Sequence, residues 1–296
     1  MTFAEKLKTA RKQAGMSQEK LAEKLGVSRQ AVTKWETDMG TPDIENIMSI
    51  SELFGMSLDD LLSDEKAVKR SADFLYESIT EYDIDETKRY DLKLGGAKTL
   101  HLFAGAAEKI RVRLASNTLA TLQSDFKVKI DDIKKRIDVD VSRRNGATEA
   151  TAKKDVVMFI QLPNAYLGKV ELAVNAESIE IHALQCDRME LTAKTHTLTL
   201  DGVVGALEVD CNLDMDIICR TLQGAVELNQ VSATSKIHVP KNTPFAVSVK
   251  GIATSLSYEK GGKPVQAFDT PDADNMIELN GIKSELVICT LEQEVQ

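Results

Sequence analysis

The sequence predicts a multidomain α plus β chain: a helical unit over residues 1–64, a charged connector over 65–90, and an all-β region over 91–292. Three observations carry this. Apolar residues recur at helical spacing through the first sixty positions, the period falls to two after Tyr90, and from Val170 a pattern returns every 18 to 20 residues. That last repeat, with two strands per turn, describes a β-solenoid in which each coil buries its inward residues against the next.

Phe3, Leu7, Ala10 and Ala14 predict a first helix that Gly15 ends in the left-handed conformation. Ser17–Glu36, SQEKLAEKLGVSRQAVTKWE, then reads as two short helices around a tight turn at Gly26. Leu21, Ala22 and Leu25 mark the inner face of one, and Ala31, Val32 and Trp35 that of the other. Ser17 and Ser28 stand at N-cap positions. With that apolar set buried, the second of these helices still presents Ser28, Arg29, Gln30, Thr33, Lys34 and Thr37. A row of polar donors with few carboxylates suits an anionic groove, so this is a helix-turn-helix whose second helix is shaped for the DNA major groove. Thr41 and Pro42 are expected to open a fourth helix with Ile44, Ile47, Met48 and Phe54 as its main stripe, Ile50 and Leu53 lying off it. Ser57–Asp60 opens a fifth helix carrying Leu61 and Leu62.

Charge is distributed to match. The whole chain carries a net charge of −9, which excludes an indiscriminate polyanion binder. Residues 1–35, however, hold eight Lys/Arg against three acids, and residues 36–66 hold nine acids against one Lys. A basic face beside acidic flanks favours docking in one orientation.

Residues 1–64 resemble the lambda-repressor/Cro-like (XRE-type) helix-turn-helix regulators. The resemblance rests on S-Q-x-x-L-A-x-x-L-G-V-S-x-x-x-V-x-x-W-E, followed by P-D-I-E-N-I and L-F-G-x-S-L-D-D-L-L. It implies that Arg29, Gln30, Thr33 and Lys34 read bases, and that Gln18, Ser28, Thr37 and Arg11 meet phosphate. It also implies that Glu36 pairs with Arg11 beneath the surface as a positioning group. The chemistry agrees: arginine matches guanine O6/N7 and glutamine matches adenine N6/N7, each pair discriminating by roughly 1–3 kcal/mol. Taken singly, Arg29 or Lys34 would be only a solvated cation and Trp35 only a core residue; the motif as a whole favours DNA.

In the connector, Ala67, Phe74, Leu75 and Ile79 suggest a partly helical segment. Beyond it, Leu100/Leu102, Ile110/Val112/Leu114, Phe126/Val128/Ile130 and Ile137/Val139/Val141 alternate with polar residues as strands do. Gly95-Gly96 reads as a turn, and the polar run Arg143–Lys154 as a long hairpin loop. Val170-Glu171-Leu172, Met189-Glu190-Leu191, Leu207-Glu208-Val209 and Val226-Glu227-Leu228 are one arm of the repeat. Ile179/Ile181, Leu198/Leu200, Ile217/Cys219 and Ile237/Val239 are the other. Glu171, Glu190, Glu208 and Glu227 would stack outward as an acidic ladder, in water or against a cation or basic partner. The Leu162-Pro163 and Val239-Pro240 turns bracket the run, and residues 90–292 resemble the adhesin-like β-solenoid domains found behind helix-turn-helix modules and in bacterial cell-envelope stress proteins. That resemblance transfers no site residues.

The four cysteines have no CxxC spacing, and Cys211 and Cys219 fall at core positions, so inert thiols in a reducing cytosol are expected. His101, His182 and His238 lie between apolar strand residues and should face solvent, leaving no metal site. Asp201, Asp210, Asp214 and Asp216 sit near coil corners, where acidic residues are ordinary. No catalytic set or phosphate-cradling loop appears, so neither an enzyme nor a cofactor is expected. No apolar run spans a bilayer, and the N-terminus reads as an amphipathic helix rather than a signal peptide.

The expected function is a cytoplasmic, sequence-specific transcriptional regulator, a repressor in its simplest form, bound as a homodimer to a palindromic double-stranded operator. The β region would set the oligomeric state or receive a signal through a ligand or partner. The alternative is an interaction scaffold whose solenoid stacks end to end or binds an envelope component.

Overall fold

The computed structural model describes residues 3–37, 40, 42–54, 74–105 and 107–291. The chain divides into two compact units, Met1–Asp73 and Phe74–Gln296.

In the first unit, helices α1 (Phe3–Gln13), α2 (Gln18–Leu25), α3 (Arg29–Glu36) and α4 (Ile44–Phe54) enclose Leu7, Leu21, Ala22, Val32, Trp35, Ile47 and Ile50. Ser17 and Ser28 cap α2 and α3, their hydroxyls each accepting a backbone N–H at 3.1 Å. Gly26, at φ +67°, turns α2 into α3; its own amide and that of Val27 satisfy the last carbonyls of α2. Gly15 stops α1 in the same conformation, and Ala14 lies exposed beyond the helix. Helix α4 differs from expectation. Asp43 is its cap, accepting from the Asn46 amide at 2.9 Å, and Thr41 lies outside the described residues. The buried stripe is Ile47 and Ile50 with Leu53 and Phe54 beside it, whereas Met48 is 50% exposed. Residues 47, 50 and 54 share one face at i, i+3 and i+7, and Met48 falls on the next. The fifth helix, predicted over Ser57–Leu62, lies outside the described residues.

The second unit is wound from parallel ladders. Strands β7 (Leu167–His182), β8 (Gln185–Lys194), β10 (Val204–Asp210) and β12 (Gln223–Val231) pair in succession. Val170 meets Met189, Met189 meets Leu207 and Leu207 meets Val226. The second half of β7 pairs with β9 (Thr197–Asp201), which pairs with β11 (Met215–Cys219) and then β13 (Thr234–Pro240). Ile179, Leu198, Ile217 and Ile237 stand in register there. The repeat therefore sets the register, because a one-residue slip would turn every inward residue to solvent.

The winding does not close at Pro240. Strands β14 (Ala246–Ile252) and β15 (Ser255–Lys260) form the outermost coil, the short β16 (Lys263–Pro264) folds back on β15, and β17 (Met276–Ile282) with β18 (Glu285–Leu291) slots between that coil and β12/β13. The other end repeats this insertion. Strand β2 (Lys88–Gly105) lies between β7 on one side and β5 (Arg136–Arg143) and β6 (Val157–Pro163) on the other. Antiparallel strands finish that end: β4 (Phe126–Ile133) on β5, β3 (Lys109–Ser116) on β6, and β1 (Tyr76–Asp83) on β3.

Several expectations are corrected here. The connector was expected to be partly helical, yet residues 76–83 are strand β1. Tyr76, Ser78, Thr80 and Tyr82 alternate with Glu77, Ile79 and Glu81, a period-two pattern rich in β formers that overrides the helical spacing of Phe74, Leu75 and Ile79. Gly95-Gly96 is no turn: it is a bulge inside β2, Gly95 having φ +67°. Within Arg143–Lys154, the residues from Glu149 enter a helical turn, Glu149–Asp155, capped by Thr148. The acidic ladder exists, with Asp91, Glu171, Glu190, Glu208, Glu227 and Glu278 in register, but cations of the same face thread it. Arg89 and Lys169 hold Glu171, Lys169 also holds Glu190, Arg188 spans Glu190, Glu208 and Glu227, and Lys250 holds Glu278.

The histidines also differ. His182 is 2% exposed, with Nε2 3.2 Å from Glu180, and His101 stacks on Phe159 at 4.8 Å; of the three expected at the surface, His238 alone keeps appreciable exposure. Strand parity sends these rings outward, but neighbouring rungs cover two of them. Cys211 and Cys219 are buried free thiols, and burial pushes the Cys219 thiol up to about 12. Of the four aspartates, Asp210 accepts from Asn229, Asp214 from the Thr234 amide at 2.7 Å, Asp201 faces His182 at 3.7 Å, and Asp216 faces His238 at 3.8 Å. They tie one coil to the next.

Gly205 and Gly224 sit in register at φ +117° and +118°. A Cβ on Gly205 would strike the Cys186 carbonyl, and one on Gly224 the Gly205 carbonyl. Gly224→Ala should therefore cost the β unit about 3 kcal/mol. Gly262→Ala, at φ +71° with open space around it, should cost about 1 kcal/mol. Denaturant unfolding of the two variants checks the difference.

Candidate nucleic-acid interface

The basic segment converges on one buried carboxylate. Glu36, at the end of α3, has a side chain 1% exposed. Arg11 of α1 grips it with both arms of the guanidinium, Nε donating to Oε1 at 2.5 Å and Nη2 to Oε2 at 2.9 Å. Gln18, opening α2, donates its amide to Oε2 at 2.8 Å. Three helices thus share one acceptor, and Arg11 Nη1 also closes the α1–α2 turn on the Met16 carbonyl at 2.7 Å.

Burial acts to raise the Glu36 carboxyl, but hydrogen bonds from Arg11 and Gln18 and the charges of Arg11 and Lys8 outweigh it and hold it below the ordinary carboxylate value. The bond from Glu36 in turn raises Arg11. Arg11 and Gln18, expected at phosphate, thus have their side chains committed to this centre. Thr33 is drawn in as well: its hydroxyl lies 3.2 Å from Gln18 Oε1 and 3.0 Å from the Arg29 carbonyl, donating to one at a time. Sequence reasoning paired Arg11 with Glu36 but missed Gln18 as the bridge between Glu36 and Thr33; the shared polar positions of α2 and α3 were the available signal.

What remains outward on α3 is Arg29, Gln30 and Lys34, all exposed, with exposed Ser28 before them and exposed Thr37 after. Positions 29, 30, 33, 34 and 37 fall on one helical face, opposite buried Val32, Trp35 and Glu36. Among the described residues neither Arg29 nor Lys34 has a carboxylate partner. The arrangement offers a rigid row of donors and cations backed by a neutralised core. Among the described residues no group of histidine, cysteine and acidic side chains fits a metal, and no helix is long and apolar enough to cross a membrane.

A helix-turn-helix family model (HTH_3) matches residues 7–61. The HTH-type transcriptional activator BcrR of Enterococcus faecalis is 44% identical over 68 residues, 23% of this chain and 33% of that protein. The HTH-type transcriptional regulator ImmR of Bacillus subtilis is 36% identical over 95 residues, 32% of this chain and 74% of that protein. This chain belongs to the XRE-type helix-turn-helix transcriptional regulators. The chain spans 33% of BcrR's length and 74% of ImmR's. Among solved structures, a candidate cell adhesion protein of Clostridium sporogenes is 12% identical over 73% of this chain and 99% of that one, with a TM-score of 0.35. A likeness of that depth says nothing about binding.

Replacing Glu36 by Gln leaves the Arg11 guanidinium buried without its counter-charge, which should destabilise the helical unit by about 3 kcal/mol at neutral pH. Because the Glu36 carboxyl is lowered in the folded state, its contribution is fully present above its ordinary value of 4.5 and is lost as pH falls through the lower native value. The gap between wild type and Glu36→Gln should thus narrow only in acid, as read by helical circular dichroism during denaturant titration.

Proposed function

We propose that this regulator binds a palindromic operator in double-stranded DNA as a homodimer in the cytoplasm, and represses by occupying it. The observation that carries this reading is the α3 face: Arg29, Gln30 and Lys34 outward, Thr33 half-buried beside them, and Glu36 inward gripped by Arg11 and Gln18. Arg29 and Gln30 read purine edges in the major groove, with Lys34 and Thr33 beside them. Ser28 and Thr37 meet phosphates at either end of α3, and the α2 N-terminus with Gln18 and the Arg11–Glu36 pair set the angle of entry. One such helix reads only a few base pairs, so useful selectivity needs two half-sites about one helical turn apart. The β unit supplies the second copy. No enzymatic step is assigned to it.

The test begins with selection of bound genomic fragments by purified protein. Arg29→Ala should then cost roughly 1–3 kcal/mol on the selected site and flatten preference at one base position. Ser28→Ala should weaken all duplexes alike. A variant lacking Arg29 that keeps full preference in fluorescence anisotropy at fixed salt overturns the reading. BcrR is named an activator, so a reporter fused to the selected operator reads the sign: repression predicts higher output without the regulator.

A further inference from the structure

The two ends of the coil stack are finished differently. At one end the outermost strands carry charge along their length: Glu77, Glu81 and Asp83 on β1, and Lys127, Lys129, Asp131 and Asp132 on β4. Such charges blunt an open strand edge. At the other end, β15 is closed by its own chain: Glu259 and Lys260 pair antiparallel with Pro264 and Lys263, and the Val265 amide donates to the Tyr258 carbonyl at 2.9 Å. Phe268 plugs the core mouth between Phe245 and Tyr258, held by the Tyr258 hydroxyl on Asp269 at 2.6 Å.

The same segment meets β14 only at its entrance, where the Thr270 amide donates to the Phe245 carbonyl at 2.7 Å; along residues 247–252 no second strand pairs with it among the described residues. Among the described residues β14 pairs on one side only, with β17. Its sequence, AVSVKGI, contains no acid and a single cation, Lys250, which is already bound to Glu278 at 2.6 Å. It ends in Ile252, 72% exposed and in register with exposed Ile282, itself in register with exposed Val231. A seven-residue edge whose one charge is already paired, beside three stacked aliphatic side chains, is the arrangement that proteins otherwise avoid exposing.

We propose that the β14 edge is the self-association surface of this protein, joined antiparallel to β14 of a second copy about a twofold axis at Val249. That register sets Ser248 opposite Lys250, Val247 opposite Gly251, and Ile252 over Ala246. Centring on Lys250 would face two cations, and centring on Ser248 would leave Ile252 without a strand partner. The interface is isologous, so it closes at two copies. Head-to-tail growth would instead press β14 onto the charged β1 or β4 edge and strand those charges. This deepens the homodimer reading above and rests on it; it stands apart from the DNA reading, since the test contains no DNA.

The experiment is light scattering after size exclusion on the full chain and on Ser248→Lys and Ile252→Lys, each with its thermal unfolding curve. Both residues lie on the edge strand, Ser248 half-buried and Ile252 exposed, and a lysine at 248 faces Glu278 within its own chain while opposing Lys250 of the other copy. We expect a wild-type dimer, a dimer for the conservative Ser248→Thr, and self-association weakened roughly 100-fold by Ser248→Lys at an unchanged melting temperature. A wild-type monomer, an open-ended series of oligomers, or a dimer that survives both lysine variants overturns the proposal. If one lysine variant fails to fold, the other decides.

Discussion

A carboxylate removed from water needs compensating donors, and Glu36 has three: two arms of Arg11 and the amide of Gln18. That single buried acceptor welds α1, α2 and α3 at the C-terminal end of α3, beneath its outward face. Without it the donor row on α3 would ride on a helix pair whose apolar core is small, Leu21, Ala22, Val32 and Trp35 with a few neighbours. A core of that size leaves helices free to slide by an ångström or so, and base-edge recognition fails at that scale. The bidentate fork of arginine has direction, which packing lacks. Orientation, rather than stability, is what the pair contributes that leucines could not.

The β unit solves a different problem by repetition. Each coil stacks Glu on Glu, an arrangement that repels unless neutralised. Because Lys169 and Arg188 stand two residues before their own glutamates on the same face, each cation reaches both its own rung and the next. Where a coil offers small Ala206 at that position, Arg188 from the preceding rung extends to Glu208 and Glu227 instead. One arginine serves three carboxylates, and the ladder that looks like a binding surface in the sequence is a self-neutralised seam.

The helix-turn-helix was legible because its signals are local: caps at Ser17 and Ser28, a left-handed glycine at 26, and apolar spacing that needs no knowledge of partners. The coil repeat was legible because in-register stacking copies one pattern into every rung. What escaped depends on non-local covering. His182 points outward by parity yet is buried between Glu180 of its own strand and Asp201 of the next rung, and no one-strand pattern encodes the second. Strand β1 was hidden because Phe74, Leu75 and Ile79 mimic a helical stripe while Ile79 sits exposed in register with Arg113. The inserted coils escaped for a topological reason: β17 resembles β12 in sequence, IELNGI against VELNQV, and similar strands do not reveal their order in space.

Insertion has a consequence for how the stack ends. A stack that simply stopped would expose whichever rung came last, with the same alternation and charge as the rungs inside. By returning to fill the penultimate position, residues 276–291 place a coil with Glu278 on the ladder in the interior and leave β14/β15 outside. That outer coil can then diverge: Glu gives way to Ser248 at the ladder position, and the linking segment becomes free to supply Phe268 as a plug. The same device at the far end lets β5 and β6 carry the antiparallel strands β4 and β3. Repetition supplies the core and insertion supplies two non-equivalent ends, one edged with charged strands and one presenting β14 with its single paired cation, from a chain whose middle rungs share one pattern.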